Sequence, residues 1–291
     1  MRLSIITVNL NNAEGLERTL ASVHRQTAYA EIEHIVIDGA SSDRSCDILR
    51  KYSPGLKWIS EKDSGIYEAM NKGVGMARGE YLLFLNSGDT LYDEDVVSCI
   101  LPRLNGCPIL IGRILFEKSQ AVSPTGAKIS LLEMYRSFIP HPATFIRKDL
   151  LVKRPYDTRL RISADWKFFF ETLILDGADY QYLDRIITVY DENGLSSTHG
   201  EIGEKEKLQV LKEHFPERVV ADCFAFAHGK GYDGSLYDRF FIHMKGFRFG
   251  RLLYTLDVAV MKFASLFFKN AKFAKSFPLT LPKEEKGRID G

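Results

Sequence analysis

Acidic and amide side chains recur in this chain at the ends of apolar runs, where an open parallel sheet offers its strand ends to a ligand. Thr7 and Asn9 close the β-branched run 3–8, Asp38 closes 35–37, and Asp63 follows 56–60. Asn86-Ser87-Gly88-Asp89 follows the run Tyr81-Leu82-Leu83-Phe84-Leu85. Asp89, with Asn86 three residues earlier, suits an oxygen-ligand site for Mg²⁺ or Mn²⁺, ions that complete their shell with water and substrate phosphates. Asp38 suits a hydrogen bond from a base N–H or a ribose hydroxyl. Plain alternatives stand beside both. Asp38 can form an Asx turn before Gly39, and Asp89 can cap the helix expected near 93–104.

Such side chains need a scaffold, and the first half of the chain alternates strand and helix signals. After run 3–8 come Asn9, Asn11 and Asn12, and then Leu16, Leu20 and Val23 at helical spacing. Ser42 or Asp43 can cap the helix that carries Ile48, Leu49 and Tyr52, and a further helix is expected over 65–78. The uninterrupted apolar run 81–85 is what a central parallel strand covered on both faces requires. This order predicts an α/β fold with a mostly parallel sheet. Beyond Asp89 the alternation loosens into a strand at 109–116, a short helix at 131–137 and a strand at 144–146. A helix at 164–175 and a strand at 180–190 follow, and from about 204 the pattern is wholly helical. The first strand-to-helix turn lacks GxGxxG and GxxxxGK[ST], which argues against dinucleotide and P-loop chemistry.

At this point the residues carry a family resemblance. Ser4-Ile5-Ile6-Thr7-Val8-Asn9 with Asn12, Ile37-Asp38-Gly39-x-Ser41-x-Asp43, and the stretch from Asp63-Ser64-Gly65-Ile66-Tyr67 to Asn71-Lys72-Gly73 resemble glycosyltransferase family 2. So do Ala77-Arg78-Gly79-Glu80-Tyr81 leading into Asn86-Ser87-Gly88-Asp89, Ile162-Ser163-Ala164-Asp165-Trp166, and Asn193-Gly194-Leu195-Ser196-Ser197. The motifs stand in order over residues 1–200. They look most like the branch that builds bacterial capsule, exopolysaccharide and O-antigen repeat units.

The resemblance implies a GT-A fold and an inverting transfer of a hexosyl or N-acetylhexosaminyl group from a UDP-sugar. By position, Thr7 and Asn9 would lie near the nucleoside, Asp38 would bond the uracil, and Asp63 would sit beside base and ribose. Asn86 and Ser87 would belong to the donor site. Asp89 would match the last carboxylate of a DxD-type motif that holds Mn²⁺ or Mg²⁺ on the diphosphate, and Asp165 would be the general base. There is a departure: the family's two or three acids are here reduced to one, with glycine at 88. His141, Trp166, Lys72, Arg78 and His199 are further pocket candidates. For the histidines and the basic pair, structural or solvated roles remain open.

Domain boundaries follow from the same patterns. A catalytic domain is expected over 1–203, with nucleotide-sugar binding over about 1–105 and the acceptor part over 106–203. A helical region, 204–291, would follow. The chain of 291 residues carries 39 Lys+Arg and 38 Asp+Glu, a formal charge of +1, which argues against a nucleic-acid partner. That average conceals a division. Residues 1–238 hold 28 basic and 34 acidic groups, whereas 239–277 hold eight basic residues against Asp257 alone, with nine phenylalanines. At helical spacing this segment is basic and amphipathic, as expected of an anionic membrane surface element.

Four scattered cysteines form no metal pair and read as buried small residues in a reducing compartment. No signal peptide and no spanning run of about 18 apolar residues is legible. The expected place is the cytoplasm, peripheral at the inner membrane face, with a saccharide acceptor on a polyprenyl diphosphate and a homodimer held open. A sugar nucleotidyltransferase and a non-catalytic membrane-associated nucleotide-sugar-binding protein are the alternatives.

Overall fold

The computed structural model describes residues 1–124, 128–193 and 200–227, all within one compact unit, Met1–Ala227. Strand β1 (Leu3–Asn9) lies between β2 (Ile32–Asp38) and β4 (Tyr81–Phe84), and β3 (Lys57–Ser60) lies outside β2. These four strands run parallel. Every residue of β1, β2 and β4 is buried, as strands covered on both faces require. Along β1 the side chains alternate. Ile6 and Val8 pack with Met70 and Val74 of helix α3 (Ile66–Met76), while Leu3 and Ile5 face the other way with Val23 of helix α1 (Ala13–His24). Helix α2 (Ser45–Tyr52) shares that second face through Ile48 and Leu49, packed with Val36.

From β1 the chain steps outward to β2 and β3, then returns to β4 on the other side. This reversal opens a crevice beyond the carboxyl ends of β1 and β4. The short β5 (Thr90–Leu91) leads into α4 (Val96–Ile100). Strand β6 (Ile109–Phe116) runs antiparallel to β7 (Thr144–Arg147), which in turn runs antiparallel to β4. Strand β8 (Tyr180–Tyr190) lies parallel to β6, and β5 closes that edge antiparallel to β8. The sheet is thus mixed, with a parallel core.

Helices α5 (Leu131–Arg136), α6 (Lys148–Lys153) and α7 (Ala164–Phe169) surround the second half, and α7 widens into a π-turn at Phe170–Leu175. Helices α8 (Gly200–His214) and α9 (Glu217–Ala227) complete the unit. Residue 203 falls inside α8, whose Glu206 accepts hydrogen bonds from the backbone of residues 161–163, so α8 is built onto the catalytic unit rather than divided from it. The cysteines correct another expectation. Cys99 is exposed and the others are half-buried. The basic segment 239–277 and His199 lie outside the described residues. Among the described residues, no helix is long and apolar enough to cross a membrane.

Candidate functional site

A cleft of about 1180 Å³ opens above the carboxyl ends of β1 and β4. Asn9, Asp63, Asn86, Ser87, Asp89, His141, Asp165 and Trp166 all line it, so eight of the residues picked from sequence meet in one place.

On one wall of the cleft, Asn9 ends β1 and is 5% exposed. Its Nδ2 donates to Asp38 Oδ1 at 2.8 Å and to Ser45 Oγ at 2.9 Å, while its Oδ1 is buried without a partner. A buried acceptor left open in a cleft is a place for a ligand donor. Asp63 accepts from Gly65 N–H at 3.1 Å, and burial pushes its carboxyl up. A Cβ at Gly39 would stand 2.9 Å from Asp63 Oδ2, so a glycine there lets the Asp63 carboxyl approach the β2 end.

Four expectations need correction here. Asp38 does not present its carboxyl to the cleft. It is fully buried, and its oxygens accept from Asn9, from Ser41 N–H (2.9 Å) and Oγ (2.6 Å), and from Ser60 Oγ (2.6 Å). Burial raises its pKa, but those bonds outweigh the penalty and hold it below the usual aspartate value. It therefore acts on the site through Asn9 and the Ser41 turn. Thr7 points to the opposite face from Ile6 and Val8, is fully buried, and pairs with His34 Nε2 at 3.0 Å. Arg78 lies at the other end of the sheet, where its N–H binds Glu33 and neighbouring Gly79 N–H binds Ser4 near the start of β1. Lys72 does not line the cleft either. It ion-pairs with Glu61 at 2.9 Å and Glu68 at 3.3 Å, bracing the 61–68 corner.

After β4 the chain turns through Asn86-Ser87-Gly88-Asp89. Asn12 caps α1 and donates to Ser87 O at 3.0 Å, tying this turn to the first helix. Asp89 is 3% exposed, and its Oδ1 accepts from Asp191 N–H at 2.9 Å. Burial pushes its pKa up to about 7, with the Asp191 charge adding to the rise. Asp191, which sequence reading missed, follows β8 and ion-pairs with Arg18 at 3.3 Å. Asn86 Oδ1 is a second buried atom without a partner. Among the described residues no three His, Cys, Asp or Glu side chains converge on one point. Two adjacent carboxylates and an orphaned amide oxygen nevertheless fit a small oxygen-seeking dication that takes its remaining ligands from phosphate and water.

Across the cleft, Asp165 sits in the first turn of α7, where Ser163 holds the N-cap position. Its Oδ1 accepts from Trp166 N–H and Tyr67 Oη, each at 2.8 Å. Its Oδ2 has no donor among the described residues. Trp166 is anchored by Nε1 to Met134 O at 2.7 Å and stacks on Phe170 at 5.3 Å. His141 shares a hydrogen bond with Tyr156 Oη at 2.8 Å and stacks on Phe84, and burial holds its pKa low. Glu206 of α8 binds the N–H groups of Arg161 (2.7 Å), Ile162 (3.0 Å) and Ser163 (2.9 Å).

The model of the family described as Glycosyl transferase family 2 matches residues 4–149. The chain belongs to glycosyl transferase family 2. A PGL/p-HBAD biosynthesis glycosyltransferase of Mycobacterium bovis (strain BCG / Pasteur 1173P2) is 32% identical over 217 residues, 72% of this chain and 83% of that protein. An uncharacterized glycosyltransferase of Mycobacterium tuberculosis (strain CDC 1551 / Oshkosh) is 29% identical over 257 residues, 83% of this chain and 97% of the relative. Among solved structures, S. aureus TarS 1-349 in complex with UDP-GlcNAc superposes with a TM-score of 0.62 at 18% identity, covering 83% of this chain and 76% of TarS 1-349. The mannosyltransferase PcManGT from Pyrobaculum calidifontis, in complex with GDP-Man and Mn²⁺, gives 0.58 at 14%, covering 89% and 80%. These likenesses establish a GT-A fold, and the family makes the chain an enzyme, a glycosyltransferase. In this glycosyltransferase the strand ends of the fold bring Asn9, Asn86, Ser87 and Asp89 to the cleft. Asp191 and Glu206 had no signal of their own, because their partners lie far away in sequence, and Tyr67, although inside the 63–73 motif, meets Asp165 only in the fold.

Proposed function

We propose that this glycosyltransferase moves a hexosyl or N-acetylhexosaminyl group from a UDP-sugar to a saccharide acceptor with inversion. One observation carries the reading: Asp165, with Oδ2 unengaged, shares a single cleft with Asn9, Asp63, Asn86, Ser87 and Asp89. At about 1180 Å³ the cleft exceeds the ~300–1,000 Å³ of an ordinary small-molecule site, which leaves room for donor and acceptor together. The TarS structures with UDP and UDP-GlcNAc support a uridine donor.

In the transfer, the acceptor hydroxyl oxygen bonds the anomeric carbon from one side as its proton passes to Asp165 Oδ2. The bond from that carbon to the diphosphate oxygen breaks on the other side, and its electron pair leaves with UDP. Asn9 Oδ1 and Asp63 accept from the nucleoside, and Ser87 lies beside the departing diphosphate. Held by Asp89, Asn86 and Asp191, Mn²⁺ or Mg²⁺ would offset the charge of the leaving group. The basic segment 239–277 supports a peripheral place on an anionic membrane, hence a lipid-linked acceptor in surface polysaccharide synthesis.

Nucleoside diphosphate release scored across a panel of UDP- and GDP-sugars should single out a UDP-sugar. Asp165→Asn should abolish transfer while UDP binding persists, and retained turnover would remove the base assignment. A protein whose melting temperature no nucleotide shifts would instead be a non-catalytic scaffold.

A further inference from the structure

Tyr67 stands in the first turn of α3, just past the Asp63-Ser64-Gly65 corner that lines the donor side. Its phenol touches the opposite wall. Oη lies 2.8 Å from Asp165 Oδ1 and also bonds the carbonyl oxygen of Ile162. A phenol carries one proton, so these two acceptors share one donor. Asp165 Oδ1 takes a second bond from Trp166 N–H, which leaves Oδ2 to the cleft.

We propose that Tyr67 is the positioning residue of the Asp165 base, its single proton serving Oδ1 while the carboxylate is charged and turning to the Ile162 carbonyl once Oδ2 is protonated. The proposal rests on the reading of Asp165 as base. A hydrogen bond to a charged carboxylate is stronger than one to a neutral acid, so the two acceptors exchange rank when Asp165 changes charge. The arrangement keeps Oδ1 occupied in the charged state and directs proton uptake to Oδ2 alone.

The surroundings hold the geometry. Asn71, four residues along the same helix, clamps the backbone of Tyr156, donating to its carbonyl at 2.8 Å and accepting from its N–H at 3.0 Å. The Tyr156 ring lies 5.6 Å from that of Tyr67, and its hydroxyl is engaged with His141. His141 is buried, and burial lowers its pKa against the pull of Asp165. Arg161, from the turn before α7, and Glu204 and Lys207 of α8 line the same cleft, and Glu206 holds that turn. Helix α3 thereby joins the donor corner to the base.

The test needs no knowledge of the acceptor. Tyr67→Phe removes one oxygen and keeps the ring, and should move the acid limb of UDP release from UDP-N-acetylglucosamine to higher pH, with UDP affinity unchanged. Installing 3-fluorotyrosine at position 67, a stronger donor of nearly the same shape, should move the limb to lower pH and decides the matter if the phenylalanine variant folds poorly. An acid limb unmoved in the folded variants overturns the role of Tyr67. Turnover retained by Asp165→Asn overturns the base reading instead, wherever the limb lies.

Discussion

The carboxylate of Asp191 occupies the space that a side chain at Gly88 would need: a Cβ at residue 88 would stand 2.6 Å from Asp191 Oδ2. Gly88 also has φ +111, a conformation that L side chains rarely adopt. The turn after β4 therefore carries one acid, at 89, and the end of β8 brings a second beside it. Gly88→Ala should force Asp191 away and strain the turn, at a cost of about 1–3 kcal/mol. Urea unfolding would measure that cost, and calorimetry should show weaker UDP binding in the presence of Mn²⁺.

Asp89→Ala removes the buried carboxylate that Asp191 N–H supports. Mn²⁺-dependent UDP affinity should fall by at least about ten-fold, and Asp191→Ala should cause a smaller loss of the same kind. Calorimetry with and without Mn²⁺ separates the two contributions. Equal affinity under both conditions in the unaltered protein would remove the cation from the mechanism.

Glu206 satisfies three successive backbone N–H groups just ahead of Asp165. Glu206→Ala leaves those donors without their acceptor and should cost about 1–3 kcal/mol. On the reading of Asp165 as the base, kcat should drop while UDP affinity holds. An equal loss in both would mean that α8 supports the donor side as well.

Strands Ile109–Phe116 and Tyr180–Tyr190 were legible to the residue, because each is long and rich in β-branched and aromatic residues. Thr90–Leu91 was not, since two residues carry no period. The helix expected over 93–104 shrank to Val96–Ile100: Asp93 turns its carboxylate to Asp95 N–H and Arg185, and the chain tightens into a 3₁₀ turn at Pro102. In the site, Asn9, Asp63, Asn86, Asp89 and Asp165 were legible from their places at strand ends and within motifs. Thr7 and Arg78 sat in matching motifs but face elsewhere, one by the two-residue alternation of a strand, the other by lying at the wrong end of the sheet. Asp191 matters only because Gly88 leaves it room, a relationship that no local pattern contains.

The segment 239–277 carries a net charge of +7 and nine phenylalanines. Each Lys or Arg near an anionic surface contributes about 1 kcal/mol, and the attraction weakens with salt. The full chain should therefore sediment with anionic liposomes, less so at high ionic strength, and hardly at all with neutral ones. Removing residues 239–291 should abolish binding, and unchanged binding would end the anchor reading.

Asp38 makes acid stability a probe of the hydrogen bonds at the ends of β1 and β2. Burial alone would raise its pKa, but the bonds from Ser41, Ser60 and Asn9 hold it below the ordinary value of 3.8. The folded state thus binds its proton less readily than the unfolded state does. Its stabilisation is fully present above pH 3.8 and is lost as pH falls through the lower folded value. Asp38→Asn keeps the shape but turns an N–H donor towards groups that already donate, so it should cost about 1–3 kcal/mol at pH 7. Urea unfolding of both proteins between pH 7 and pH 3 should show the gap narrowing below about pH 4. A gap that stays constant across that range would mean the serine and asparagine bonds do not favour the charged carboxylate.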